Sequence, residues 1–118
     1  MTLTPGAYLK CRRTACGKSV PDVACAIETD PSVSEADRVE WLRSIEADVA
    51  PARWSTIVAL RRLVRFDLLV LERLSLIHAS VDVPAPRLCR ICAAGNVLID
   101  LPWEWAEADL CICCASEA

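Results

Sequence analysis

The sequence predicts a mostly α-helical protein with a small β element at its C-terminal end. Two middle stretches place apolar residues at helical spacing, and paired cysteines with short apolar runs between them follow a proline-rich linker. We expect three segments packed as one unit: residues 1–33 with a cysteine knuckle and a short helix, residues 34–81 with a helical hairpin, and residues 82–118, the C-terminal finger. Of the 118 residues 54% are apolar, a content that excludes a disordered chain.

The N-terminal segment contains Cys11 and Cys16, separated by four residues and followed directly by a glycine. A glycine there relieves crowding where backbone N–H groups turn toward a metal-bound sulfur, so the spacing indicates a metal-binding knuckle. Cys25 lies nine positions further on and is expected to join them. Spacing does not reveal the fourth ligand. The candidates are His78 and Cys113, both remote in sequence.

The helical hairpin begins with a helix that Ser34 can cap, with Asp37 three residues later as its partner. Apolar side chains then recur at helical spacing, and Pro51 ends this helix or opens the next. The residues of this apolar stripe are Val39, Trp41, Leu42, Ile45 and Val49.

The second helix of the hairpin is predicted to run from Ala52 to Ala79, because no glycine or proline interrupts this stretch. Its apolar residues cover more than half of the helix circumference, which is too wide for a helix that packs on one side only. Two interpretations stay open. Either this long helix is central to the fold, or it presents a second apolar face to a partner.

The strongest motif lies in the C-terminal finger. Cys89 and Cys92 are separated by two residues, and eighteen residues later Cys111 and Cys114 repeat the same gap. Such gaps let both sulfurs of a pair reach one ion, and two pairs complete the tetrahedron of thiolates typical of structural zinc. The finger is therefore expected to be zinc-ribbon-like. These four cysteines are the expected ligands, with Cys113 as an alternative to Cys114.

Other uses of the cysteines stay open. Cys11 and Cys16 can join Cys89 and Cys92 around one ion, which leaves the last three cysteines for another. Iron–sulfur ligation also needs four thiolates, but the common ferredoxin spacings do not occur here. Disulfides are disfavoured because the sequence shows no secretory signal, and the cytoplasm keeps thiols reduced. We expect one or two Zn²⁺ ions in a cytoplasmic protein without a membrane-spanning segment.

The residues from Leu88 to Cys92 and from Ala108 to Cys114 resemble a known motif. They are similar to the C-terminal four-cysteine finger of the DksA/TraR regulators of bacterial RNA polymerase, which also place a helical hairpin before the finger. The resemblance covers under thirty residues. It implies a zinc finger and a role near the transcription machinery.

Charge alternates strongly along the chain although its net value is only −3. The first twenty residues carry four basic side chains and no acid, whereas the next thirty carry eight acids and two arginines. The basic side chains surround the first knuckle and make nucleic-acid binding one candidate function. They are Lys10, Arg12, Arg13 and Lys18.

The preferred hypothesis is a non-enzymatic, zinc-stabilised regulator, adaptor or inhibitor that binds another protein or complex. One histidine and three glycines exclude a histidine-rich catalytic metal site, a P-loop and a dinucleotide fingerprint. Nucleic-acid binding is the first alternative function, and a thiol redox or metal-dependent enzyme is the second. Trp103 and Trp105 are candidate partner-binding residues because tryptophan is favoured in interface anchors, although one of them is expected to pack on the finger itself. Arg61, Arg62 and Arg65 add a basic patch on the second helix.

Overall fold

The computed structural model describes residues 3–27, 33–97 and 104–117, and the structural statements below concern these residues. The candidate partner-binding residue Trp103 lies outside them. The described chain is mostly helical with one two-stranded antiparallel sheet, which confirms the predicted class. No helix in these ranges is long and apolar enough to cross a membrane. The elements are α1 (Pro5–Ala15), α2 (Val20–Ala26), α3 (Glu35–Glu46), α4 (Trp54–Arg61), α5 (Leu68–His78), β1 (Trp105–Glu107), β2 (Leu110–Cys111) and α6 (Ile112–Glu117).

Side-chain caps explain where the first three helices begin. Thr4 accepts a hydrogen bond from the first turn of α1, and a proline occupies a first-turn position where no N–H is needed. Ser19 and Asp22 form a capping box at α2, in which each side chain accepts a hydrogen bond from the other's backbone N–H. The predicted cap of α3 is confirmed, because Ser34 Oγ accepts a hydrogen bond from Asp37 N–H at 3.1 Å.

The end of α3 differs from the prediction. The helix stops at Glu46, one turn before Pro51, because Asp48 adopts a left-handed conformation with φ of 60°. The carboxylate of Asp48 accepts a hydrogen bond from Gly6 N–H at 2.8 Å, so a contact with α1 fixes this turn. Val49, predicted to lie on the apolar stripe, is 79% exposed beyond the helix end.

The uninterrupted helix predicted for residues 52–79 is wrong. This stretch forms α4 and α5, joined by residues 62–67, which we call the α4–α5 connection. Asp67 ends the connection as the N-cap of α5, because its Oδ1 accepts hydrogen bonds from Leu69 N–H and Val70 N–H. No glycine or proline marks the break, so an aspartate cap interrupts the helix where the apolar pattern alone continues.

The central helix is α1 and not the long helix that the sequence predicted. α3 and α5 each pack on α1, whereas α2 packs mainly on α3. On α1, Tyr8 and Leu9 are buried to 1% and 5% exposure in a core that draws on all these helices. The N-terminal segment therefore contributes to the helical core.

One side of α1 holds the α4–α5 connection through its backbone. Arg12 Nε donates a hydrogen bond to the carbonyl of Arg65 at 2.9 Å, and Arg65 N–H donates to Cys16 Sγ at 3.4 Å. The Tyr8 hydroxyl accepts a hydrogen bond from Asp67 N–H at 3.0 Å. These side chains are spaced four residues apart and so lie on one helix face. The connection depends on α1 for the hydrogen bonds that a continuous helix would have supplied internally.

We predict that Gly6→Ala destabilises the protein by about 1–3 kcal/mol, because a Cβ at this position would lie 2.4 Å from the carbonyl oxygen of Ile45 and 2.5 Å from that of Glu46. Thermal unfolding followed by circular dichroism measures the effect. In a helix without such a close approach, the same substitution stabilises by about 0.5–1 kcal/mol. A raised Tm would therefore contradict the close packing of α1 on the end of α3.

Candidate metal centre

Four cysteines of the C-terminal finger converge on one point. The sulfurs of Cys89, Cys92, Cys111 and Cys114 all lie within 4.8 Å of one another. Those of Cys92 and Cys111 are 3.7 Å apart, which is too far for a disulfide bond of about 2.05 Å. Across the described ranges, no other group of three or more cysteine, histidine or acidic side chains is placed closely enough to hold a metal ion.

The first pair occupies a tight turn. Cys89 N–H donates a hydrogen bond to the carbonyl of Ala94, and Ala93 N–H donates to the carbonyl of Cys89, both at 2.9 Å. Gly95 follows with φ of 157°, and a Cβ on it would lie only 2.1 Å from the carbonyl oxygen of Arg87. Because glycine has no Cβ, the end of the turn can pack against the backbone at Arg87, just before the turn begins.

The second cysteine pair lies on a strand and a helix, whereas the first pair lies in a tight turn. Cys111 ends β2, opposite Trp105 of β1, and Cys114 lies one turn into α6. The half-buried Cys114 belongs to the four-sulfur group, whereas Cys113 is exposed on another face of α6. Helical spacing thus separates these two neighbours, and Cys114 is the residue that completes the site.

Two arginines beside the first pair hold the hairpin that carries the second pair. Arg87 Nη2 donates to the carbonyl of Glu107 at 3.1 Å, and its guanidinium lies 4.2 Å from the centre of the Trp105 ring. Arg90 forms ion pairs with the carboxylates of Asp109 and Glu107. Trp105 packs against the cysteine cluster, as expected for one of the two tryptophans. Arg87 was not predicted from the sequence, although its position before an acidic hairpin is a visible signal.

The surroundings of the four sulfurs favour the thiolate form of one cysteine but disfavour several thiolates at the same time. Burial raises the pKa of Cys89, but backbone N–H groups around its sulfur, that of Ile91 among them, outweigh burial and lower the pKa to about 6. Burial raises the pKa of Cys92, and burial together with neighbouring sulfurs raises that of Cys114. Four thiolates this close require a cation to offset their charge. The arrangement can therefore hold a metal ion.

The finger is attached to the helical part of the chain through a metal-site residue. Arg12 Nη1 donates a hydrogen bond to the carbonyl of Cys92 at 2.8 Å, while its Nε bonds the α4–α5 connection. Ala93, next to the ligand, is 1% exposed and belongs to the main core. One arginine of α1 thus connects the central helix, the connection and the metal site.

The other predicted metal ligands lie apart. Cys11 is half-buried on α1, Cys16 follows the end of that helix, and Cys25 is exposed on α2. His78 is exposed at the end of α5. In the described part of the chain these residues form no cluster with each other or with the finger cysteines. The four sulfurs that do converge are those of the two regularly spaced pairs, and a second ion stays a prediction.

Several of the basic residues predicted to bind a partner have hydrogen-bond partners within the chain. Arg13 forms a two-bond ion pair with Glu46 at 2.7 and 2.9 Å, which raises the pKa of Arg13. Lys18 Nζ donates a hydrogen bond to the carbonyl of Leu63 at 2.6 Å. Arg12 donates hydrogen bonds to the carbonyls of Arg65 and Cys92. Lys10 is exposed. The candidate partner-binding residues Arg61, Arg62 and Arg65 are exposed around the end of α4.

We predict that Cys89→Ser lowers the affinity of the finger for a divalent metal by more than about 100-fold. Loss of a residue that only orients a ligand costs about 10–100-fold in metal affinity, and loss of a ligand that contacts the metal should cost at least as much. Cys113→Ser and Cys25→Ser are the matched controls and should retain the wild-type affinity, because both sulfurs are exposed and lie outside the cluster. Competition with a chromogenic chelator measures the affinities. Loss of metal in Cys113→Ser with retention in Cys114→Ser would contradict the assignment.

No protein-family model, curated protein or solved structure matches this chain. The resemblance to the DksA/TraR finger therefore rests on the cysteine pairs and their flanking residues alone.

Proposed function

We propose that the four finger cysteines hold one structural Zn²⁺ ion. In a tetrahedral thiolate site with zinc–sulfur bonds of about 2.3 Å, neighbouring sulfurs lie about 3.8 Å apart. The 3.7 Å between the sulfurs of Cys92 and Cys111 fits that edge. A mononuclear iron ion accepts the same ligands, whereas a multi-iron cluster needs its thiolates farther apart.

A structural role for the ion follows from the ligand set. Four protein thiolates fill the tetrahedron and leave no open position for water or substrate, in contrast to catalytic zinc sites with three protein ligands. We therefore propose a non-enzymatic protein. Such a site works where thiols stay reduced, as they do in the cytoplasm.

We propose that the protein is a binding module for another protein, acting as a regulator, adaptor or inhibitor. The supporting observation is the outer face of α4. Trp54 is 67% exposed and Val58 is 39% exposed, four residues further along the same face. Together with Ile57 and Leu68 they line an open groove of about 390 Å³. An exposed tryptophan that lines a largely apolar groove is characteristic of interface anchors.

A protein suits this groove better than nucleic acid does. Single-stranded nucleic acid is bound by aromatic platforms and continuous basic channels, whereas Ile57, Val58 and Leu68 supply aliphatic walls. Three of the four basic residues predicted to contact nucleic acid have partners within the chain, leaving Lys10 outside those contacts. Arg61 and Arg62 border one end of the groove and favour a partner with acidic residues there.

Zinc removal should unfold the finger before the helical part of the chain. The core of the finger is small and is built around Cys89, Leu110 and Cys111, whereas the helices share a larger one. Structural zinc contributes about 10–16 kcal/mol in small fingers, so chelation should increase amide hydrogen exchange first in residues 87–97 and 104–117. Acidification should act in the same direction, because protons compete with zinc for the thiolates. Unchanged protection of the finger after verified metal removal would contradict a structural role.

The protein-binding proposal predicts that substitutions on α4 abolish partner capture without unfolding the protein. The zinc-loaded chain, the double variant Trp54→Ser/Val58→Ser and the control Val49→Ser would serve as baits in an extract of the native host. Val49 is 79% exposed and lies outside α4, so Val49→Ser removes exposed apolar surface away from the groove. Quantitative mass spectrometry should find proteins retained by the wild type and the control but not by the double variant.

Two outcomes would contradict the proposal. One is an identical set of captured proteins with the double variant. The other is capture that nuclease treatment removes, which would instead favour nucleic-acid binding and the transcription-associated role implied by the finger.

A further inference from the structure

A second open cleft lies where α1, the α4–α5 connection and the C-terminal finger meet. Its volume is about 450 Å³, within the range of small-ligand sites. Arg12, Arg61 and Arg65 line it from the helical part, and Ala94 and Gly95 line it from the finger. The cleft is separate from the metal centre and from the apolar groove of α4, although Arg61 borders both that groove and this cleft.

Three guanidinium groups share this cleft without carboxylate partners. No ion pair involves Arg12, Arg61 or Arg65 within the described ranges, whereas Arg13, Arg43 and Arg90 each pair with an acid. The bonds of Arg12 are to neutral carbonyl oxygens, and the Arg61 guanidinium lies 6.0 Å from the Phe66 ring centre. An excess of positive over negative charge in one cleft raises the local affinity for an anion.

Among the described residues, the acid that lines the cleft is Asp67, and it is otherwise engaged. Asp67 Oδ1 accepts hydrogen bonds from Leu69 N–H at 2.8 Å and from Val70 N–H at 3.1 Å, so this carboxylate caps α5. No ion pair joins it to the arginines of the cleft, as far as the described residues extend. With three positive groups and one negative group along its wall, the cleft carries a net positive charge.

The cleft also contains a fixed hydroxyl donor. Tyr8 is 1% exposed, and its oxygen accepts the hydrogen bond from Asp67 N–H. Burial raises the pKa of Tyr8, so its hydroxyl stays protonated at neutral pH and keeps a proton to donate. The hydrogen bonds of Tyr8 and Arg12 to the backbone of the connection hold these two donors in place before any ligand arrives.

We propose that this cleft binds the phosphate group of a small ligand, with Arg61 and Arg65 as the principal contacts and Arg12 and Tyr8 as preorganised support. Guanidinium groups donate pairs of hydrogen bonds that match phosphate oxygens, and several arginines together suit a dianion. The volume accommodates a phosphomonoester the size of a sugar phosphate.

The test uses the zinc-loaded full chain, with inorganic phosphate and ribose 5-phosphate as probes in chloride buffer of matched ionic strength. Isothermal titration should show saturable binding of both probes. Arg61→Gln/Arg65→Gln should weaken it by at least tenfold, while Arg53→Gln, outside the cleft on the other end of α4, should leave it unchanged. Nuclear magnetic resonance should place the largest amide shifts at Ala94, Gly95 and the connection.

Several results would overturn the proposal. They are absence of binding at millimolar concentrations of both probes, an equal loss in Arg53→Gln, and binding only to single-stranded oligonucleotides with affinity that grows with length. Trp54→Ser serves as a further control, because it removes the proposed protein contact and should leave phosphate binding intact. Failure of either proposal can therefore be told apart from failure of the other.

Discussion

The C-terminal finger is organised around four cysteine sulfurs that lie within 4.8 Å of one another. The apolar core of the finger is small, so apolar burial alone supplies little of the free energy that holds its two cysteine pairs together. Bringing thiolates together without a cation would cost free energy through repulsion and desolvation. A metal cation among the sulfurs would offset this cost, because its positive charge attracts each thiolate. The arginines around the site, Arg87 and Arg90, orient the hairpin but cannot replace an ion among the sulfurs.

The metal site and the helical core are mechanically connected through α1. Arg12 reaches the carbonyl of Cys92 on one side and the carbonyl of Arg65 on the other. The same guanidinium thus holds the backbone at Cys92, a candidate metal ligand, and the backbone of the α4–α5 connection. Arg12 is half-buried and donates here to neutral carbonyl oxygens, so these two hydrogen bonds fix the positions of the two backbone segments.

Local sequence signals predicted the parts of the structure that local chemistry decides. The cysteine pairs of the finger and the Ser34 cap follow from spacing and from hydrogen bonds between near neighbours. The break between α4 and α5 follows from contacts with α1 across more than fifty residues, and so does not appear in the apolar pattern. An aspartate before Leu68, read as a helix cap, was the one local sign of it. The central place of α1 was hidden because its short apolar stretch gives little indication of how completely Tyr8 is buried.

X-ray absorption at the zinc K-edge of the purified, zinc-loaded protein tests the central claim most directly, because it counts ligands and measures their distances from the ion. The account predicts one shell of four sulfurs at about 2.3 Å, with no nitrogen or oxygen in the first shell. A shell with fewer sulfurs completed by nitrogen or oxygen would contradict the assignment of Cys89, Cys92, Cys111 and Cys114 as a closed structural site.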